Sequence, residues 1–320
     1  MKKQLCQNIL LLLFTLTICF MLGEYFFRNY LKNDSIGDIY ATNWFEYRNS
    51  PKVQARYYIS AKGDDDHTLT PEFESDYTNQ AGKYRIIVLG DSFTHGLGLD
   101  NENLRFTNLL QEKLGNDFFI INLGWGGADI DDYERVQKIY FQNHTANLTI
   151  IAYFPNDIDP DIVERKGMSD LDFITPFAKN SAFVYYFKRS VENKFQLYLN
   201  YYKFAYSNEN NLKNHEKTLS RIIKYSKEKG SDEIIMSIPF LYQLADFKKY
   251  PMVHQIKFIS NVTHKNNASF LDIYPYFEGY DPVELWVSRF DQHPNELGHE
   301  IIADAIYQKL KEMKIYDAKR

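Results

Sequence analysis

Tyr84-Arg85-Ile86-Ile87-Val88-Leu89-Gly90-Asp91-Ser92-Phe93-Thr94-His95-Gly96-Leu97-Gly98 contains the turn on which the fold assignment rests. Tyr84 to Leu89 is a compact apolar run that stops at a glycine, the pattern of a buried strand. Working downstream, Phe106, Leu109, Leu110 and Leu114 recur at helical spacing and are closed by Gly115. Phe118 to Ile121 predicts a second strand, Tyr133, Val136, Ile139 and Tyr140 a second helix, and Leu148 to Tyr153 a third strand. Helical spacing over about Lys213–Lys229 then leads to a strand at Glu233–Ile238, and spacing over Gln255–Asn266 to a strand at Ala268–Leu271. A last helix is expected over about Asn295–Met313. Strands alternating with helices at this spacing imply right-handed crossovers and a parallel sheet. The expected fold is therefore α/β, one three-layer α/β/α domain.

Upstream lies a different kind of sequence. No charged residue stands between Lys3 and Glu24, and Ile9 to Leu22 is nearly all apolar. At ~1.5 Å per residue, about 20 uncharged residues span a ~30 Å hydrocarbon core. Lys2 and Lys3 precede the run and Tyr25, Phe26, Phe27 and Tyr30 follow it. This predicts an N-terminal transmembrane helix with its N-terminus cytoplasmic, an aromatic belt, and the bulk of the chain extracytoplasmic. A cleaved signal peptide is the alternative, although Leu22-Gly23-Glu24 is a poor cleavage site. The expected organisation is an anchor and interfacial flank at 1–32, a tether and lead-in at 33–83 with the acidic cluster Asp64-Asp65-Asp66, and the α/β domain at 84–316. An aromatic helical insertion near 181–206 interrupts it; core packing is the default reading, with a lid or a second membrane contact as alternatives.

Composition narrows the function classes. The chain is 44% hydrophobic and 25% charged, with net charge −5 and no long internal basic run, which argues against a nucleic-acid partner. Cys6 and Cys19 both fall in the apolar run, leaving the remainder without a thiol, a disulfide or a cysteine-based metal site.

Chemistry concentrates at the expected strand ends, where open parallel sheets bind ligands. Ser92 follows the first strand at Gly90-Asp91-Ser92, so its Oγ can face a cleft while its N–H serves as an oxyanion donor. A strand-end turn in which Asp91 and Ser92 merely cap a helix is the alternative. After the second strand comes the glycine-rich Asn122-Leu123-Gly124-Trp125-Gly126-Gly127-Ala128, and after the third Phe154-Pro155-Asn156-Asp157-Ile158. The side-chain amide of Asn156 is a candidate oxyanion donor; an Asx turn is its alternative. Near the C-terminus, Asp291-Gln292-His293-Pro294-Asn295 precedes the last helix, with Asn295 a candidate cap. His293 supplies the general base that a serine hydroxyl needs at neutral pH, and Asp291 is near enough in sequence to orient its imidazole. A metal site of His293, His299 and Asp291 is disfavoured, because six-residue spacing does not match a helical zinc pair.

Gly90-Asp91-Ser92-Phe93, Asn122 to Gly127, Pro155-Asn156-Asp157 and Asp291 to His299, in this order, resemble the four blocks of the SGNH (GDSL-like) hydrolase superfamily. The resemblance covers roughly Tyr84 to the C-terminus. It implies a flavodoxin-like α/β/α fold and ester hydrolysis without a cofactor. By the same resemblance Ser92, His293 and Asp291 are catalytic, and Ser92, Gly127 and Asn156 form the oxyanion hole. The usual last block is Asp-x-x-His, whose acid would fall at Phe290; here the acid is Asp291, two residues before His293. The expected partners are an ester-bearing small molecule, lipid or glycan, and the membrane. An acyltransferase using the same site and a catalytically inactive member of the fold are the rival readings.

Overall fold

The computed structural model describes residues 2–33, 59–61, 67–69, 71–158, 172–178, 180–191, 194–288 and 291–315. The acidic cluster Asp64–Asp66 and Phe290 lie outside the described residues. The chain divides into two compact units, one of residues 1–50 and 164–198, the other of residues 51–163 and 199–320.

In the first unit, Lys2–Asn33 is one continuous helix whose stretch Gln7–Asn29 is long and apolar enough to cross a membrane. The same unit holds the helices Thr175–Ala178 and Ala182–Val191.

The second unit begins with a small antiparallel pair, β1 (Ile59–Ala61) and β2 (His67–Leu69). Its main sheet comprises β3 (Tyr84–Gly90), β4 (Phe118–Gly124), β5 (Leu148–Tyr153), β6 (Asp232–Ser237) and β7 (Ser269–Asp272). All neighbours are parallel and the order is β4-β3-β5-β6-β7. This is the flavodoxin-like order, whose chain reverses direction of winding between the first and third strands, here β3 and β5. A crevice opens at the carboxyl ends at such a point.

Side chains alternate across the sheet, and both faces are buried. Ile87, Leu89, Ile121, Leu123, Ile151 and Ile235 form one core with residues of the helices Ile130–Asn143, Glu209–Glu228 and Val253–Lys265. On the alternate positions, Ile86, Val88, Ile150, Ile234 and Met236 are equally buried. The helices Phe106–Leu114 and Glu296–Glu312 pack on each other and bury Phe106, Leu110, Ile302, Ile306 and Leu310. Two helical layers around a parallel sheet make the three-layer architecture that the strand–helix rhythm predicts.

Three details differ from the sequence reading. β4 runs on to Gly124, so Asn122 belongs to the strand rather than to the loop after it. Within the lead-in, Pro71–Asn79 is a helix, and its Phe73 is fully buried against Tyr140 and His144 of the neighbouring helix end. Within the aromatic insertion, the default of core packing holds for Tyr202, which is buried against Phe154 and Phe240. It does not hold for Phe187, which is 52% exposed.

Candidate active site

The site starts from three small residues in a row. Gly90 at the end of β3 is paired with Gly124 of β4 on one side and with Ala152 of β5 on the other. The short helix Ser92–His95 crosses the sheet edge directly above them. A Cβ on Gly90 would collide with the Thr94 side chain, and one on Gly124 would lie 2.6 Å from the His95 backbone nitrogen. The row of missing side chains thus lets the chain turn sharply after β3 and hold Ser92 at the switch point.

The helix is fastened on every side. Asp91 caps it, its Oδ1 accepting from Phe93 N at 2.9 Å. Asn122 Nδ2 donates to Thr94 O at 2.7 Å and to Thr107 Oγ1 at 3.0 Å, while its Oδ1 accepts from Gly124 N at 2.9 Å. The helix-cap alternative for Gly90-Asp91-Ser92 is therefore realised by Asp91, and it coexists with a presented Ser92 rather than excluding one.

His293 comes from the opposite end of the sequence. It lies in a short strand, β9 (Asp291–Pro294), directly ahead of the final helix and paired with β8 (Trp286–Ser288). Asn295 locks this ribbon to the final helix. Its Oδ1 accepts from Gly298 N at 3.1 Å, and its Nδ2 donates to Glu284 O at 2.8 Å and Trp286 O at 3.2 Å. His293 Nδ1 lies 2.5 Å from Asp291 Oδ1, and Nε2 lies 2.8 Å from Ser92 Oγ. A carboxylate oxygen can only accept, so Nδ1 carries the proton and Nε2 of the neutral ring faces the serine hydroxyl as an acceptor. The same Asp291 oxygen accepts from the His293 backbone N at 3.1 Å, fixing the acid and the imidazole as one local unit. Phe93 flanks the ring at 5.3 Å and stacks on Phe154 at 4.1 Å, giving the pair an apolar wall.

Asn156 sits in a short 3-10 turn, Pro155–Ile158, just past β5. Its Nδ2 donates to Asp91 Oδ2 at 3.3 Å, which leaves the second amide hydrogen unassigned. Gly127 adopts a left-handed φ of 82° in the turn after β4, with open space where a Cβ would stand. The structure thus brings Ser92, His293 and Asp291 into one chain of contacts and joins Asn156 to the residue before the serine.

Two buried carboxyl groups underlie the site. Asp91 is fully buried; burial pushes its carboxyl up to about 6, against the pull of Phe93 N–H, His293 and Asn156. Asp157 is also fully buried, and burial together with the Asp91 charge holds its carboxyl well above the usual range. It accepts from Tyr133 OH at 2.9 Å and Phe154 N at 2.9 Å, shaping the Asn156 turn. The sequence reading did not single out Asp157 or Tyr133 as site residues. An acid directly after Asn156 at a strand end was the available signal. His299 is buried, with Nδ1 accepting from Phe106 N at 3.2 Å, and its ring is pushed down to about 3 by burial. That nitrogen ties two helices together instead of facing a metal with His293.

No protein-family model matches the sequence, and no curated protein does. Among solved structures the chain is similar to TesA, at 14% identity and a TM-score of 0.47, over 71% of this chain and 98% of that one. It is similar to an acetyl xylan esterase at 16% identity and a TM-score of 0.47, over 71% and 99% of the two chains. A lipolytic protein of the G-D-S-L family from Desulfitobacterium hafniense DCB-2 aligns at 13% identity and a TM-score of 0.44, over 71% and 99%.

Proposed function

We propose that this chain is a serine ester hydrolase, with Ser92 as nucleophile, His293 as general base and acid, and Asp291 as the group that orients the imidazole. The observation that carries the reading is the continuous contact from Asp291 Oδ1 through His293 to Ser92 Oγ, at 2.5 and 2.8 Å. It is the arrangement that nucleophile, base and orienter require.

In the reaction, His293 Nε2 takes the Ser92 proton as Oγ attacks the ester carbonyl. The resulting oxyanion is held by Ser92 N–H, Gly127 N–H and the free hydrogen of Asn156 Nδ2. Collapse expels the alcohol, which leaves with the proton from His293, and Ser92 becomes acylated. A water then gives its proton to His293 and attacks the acyl carbonyl; collapse breaks the acyl–Oγ bond, His293 returns the proton to Ser92 Oγ, and the acid is released. No cofactor enters any step. An acceptor hydroxyl in place of that water would transfer the acyl group instead.

The N-terminal helix, read as an uncleaved anchor, keeps the catalytic unit on the extracytoplasmic side of a membrane. That location favours an acetyl or other acyl ester of a cell-envelope glycan or lipid as substrate. The support is the helix Lys2–Asn33 with its long apolar stretch. The test is hydrolysis of p-nitrophenyl acetate by the detergent-solubilised full chain beside its Ser92→Ala variant, with and without an added glycan acceptor. Activity lost with Ser92 supports the hydrolase. Product release that appears only with acceptor makes the enzyme a transferase. Equal activity of both proteins refutes the assignment.

A further inference from the structure

We infer that the segment 172–191 is a membrane-contacting element, docked on the N-terminal helix at the outer edge of its apolar run and presenting Phe173 and Phe177 to the lipid headgroup region. The inference goes beyond ester hydrolysis, and it rests on the reading of Gln7–Asn29 as bilayer-spanning.

Glu24 is the first charge after Lys3. The twenty uncharged residues between them cover ~30 Å of helix, the thickness of a hydrocarbon core. Glu24 therefore marks the level where hydrocarbon gives way to headgroups, and a carboxylate there needs partners. It has four. Arg28 Nη2 donates at 2.6 Å, Ser181 Oγ at 2.8 Å, Ala182 N at 3.1 Å and Phe183 N at 3.0 Å. Two of these are first-turn N–H groups of the helix Ala182–Val191, so a carboxylate from one helix caps the start of another.

Ring packing strengthens the joint. The Phe183 ring lies 5.6 Å from Phe20 and 5.8 Å from Phe27, and Tyr186 stacks on Phe27 at 4.2 Å. Phe20 belongs to the apolar run, so Phe183 reaches the hydrocarbon level. Gly23 makes this approach possible, since a Cβ there would lie 2.9 Å from the Phe183 ring. Lipid offers no hydrophobic drive to join helices, which makes close fit and hydrogen bonds the natural fastening at this depth.

The start of Ala182–Val191 is thus pinned at the boundary, and what precedes it in sequence must be near. Phe177 stands four residues before Ser181, a reach of ~14 Å at full extension. Asn180 stays close to the preceding helix, its N donating to Phe177 O at 3.1 Å and its Nδ2 to Pro176 O at 3.4 Å. Phe173 and Phe177 are 72% and 66% exposed, a large apolar surface held within reach of headgroups that extend ~5–8 Å beyond the core. Phe, with Trp and Leu, is a side chain that elements lying in the interface bury at the headgroup–acyl boundary.

The test uses the full chain in a Cys6→Ser, Cys19→Ser background, reconstituted in nanodiscs of phosphatidylethanolamine and phosphatidylglycerol. Single nitroxides are attached through Leu12→Cys, Phe173→Cys, Phe177→Cys or the exposed Lys217→Cys. Collision rates with oxygen and with a water-soluble nickel chelate report depth. The expected result is an oxygen-to-nickel ratio at 173 and 177 severalfold above that at 217. A label at 12 immersed in lipid, with aqueous labels at 173 and 177, overturns this inference alone; an aqueous label at 12 overturns the spanning reading and the inference together. Spin–spin broadening at 173 and 177 overturns the lipid contact in favour of a second copy of the chain. In a Gly23→Leu background the ratio at 177 is expected to fall toward that at 217, and an unchanged ratio refutes the docking joint.

Discussion

His293 Nε2 stands 2.8 Å from Ser92 Oγ, although 201 residues separate the two in sequence. Two independent constructions meet at this contact. The row Gly90, Gly124 and Ala152 lets the serine helix ride low over the sheet edge, and the β8–β9 ribbon tied down by Asn295 carries the imidazole to it. Asp291 and His293 alternate within one strand, and the carboxylate meets both the imidazole Nδ1 and the backbone N of His293 through this local geometry.

Asp291→Asn is expected to keep the fold and lower kcat by about 10⁴-fold, since an amide at that position permits the wrong imidazole tautomer. The Ser92→Ala and His293→Ala single variants should each fall at least as far, and their double variant no further, because the residues act as a unit. Steady-state ester hydrolysis checks this. A loss in Asp291→Asn below about tenfold would move the orienting role to another group.

The oxyanion assignment makes a graded prediction. Asn156→Ala removes a donor and should lower kcat about 10²–10³-fold with little change in KM. Gly127→Ala keeps the N–H and meets open space, so its cost is the left-handed φ of 82°, about 1–2 kcal/mol. Comparing kcat and Tm of the two variants separates the roles: Asn156→Ala should injure rate, Gly127→Ala mainly stability.

Gly124→Ala tests the packing under the serine helix. Its Cβ would press within 2.6 Å of a backbone nitrogen, which cannot swing aside as a side-chain tip does. Loss of roughly 3 kcal/mol or more is expected, with activity falling in the protein that still folds. Thermal unfolding at wild-type Tm would show that the helix is not wedged there.

These residues mark how far the sequence could be read. Periodicity found the sheet strands and the flanking helices, because a parallel sheet buried on both faces writes itself as apolar runs between helical stripes. Ser92, Asn156 and His293 stand out in the sequence as polar residues beside expected strand or helix ends, although helix caps and Asx turns use the same residue types. The small-residue row was not legible as such, since register between Gly90, Gly124 and Ala152 is a tertiary fact. Asn122 falls in the glycine-rich loop that the sequence predicts after Ile121, yet its amide is what bolts β4 to Thr94. The helix Pro71–Asn79 is hidden in a polar segment because only two rings, Phe73 and Tyr77, mark the face that packs on Tyr140 and His144. Asp157 has no distinct signal in the sequence beyond its place directly after Asn156, and its full burial and its bond from Phe154 N emerge only in the fold.

Glu233 gives a pH-dependent prediction away from the site. It is 3% exposed near the start of β6, with Lys227 Nζ 3.8 Å away. Burial pushes its carboxyl from 4.5 up to about 8, against the pull of Lys227. Between those values the native state holds a proton that the unfolded chain releases, so stability present at the acid side is lost as pH rises toward 8. Glu233→Gln should therefore match wild type near about pH 5 and exceed it above about pH 8 by on the order of 2 kcal/mol. Parallel Tm curves for the two proteins would contradict the assigned burial.

Ser92 is proposed as a nucleophile activated by His293. That role is tested most directly by treating the folded full chain with a fluorophosphonate and mapping the adduct by peptide mass spectrometry. The account predicts one adduct, on Ser92, formed far more slowly in His293→Ala and absent in Ser92→Ala. A folded protein that stays unlabelled, or a label that persists in Ser92→Ala, would contradict it.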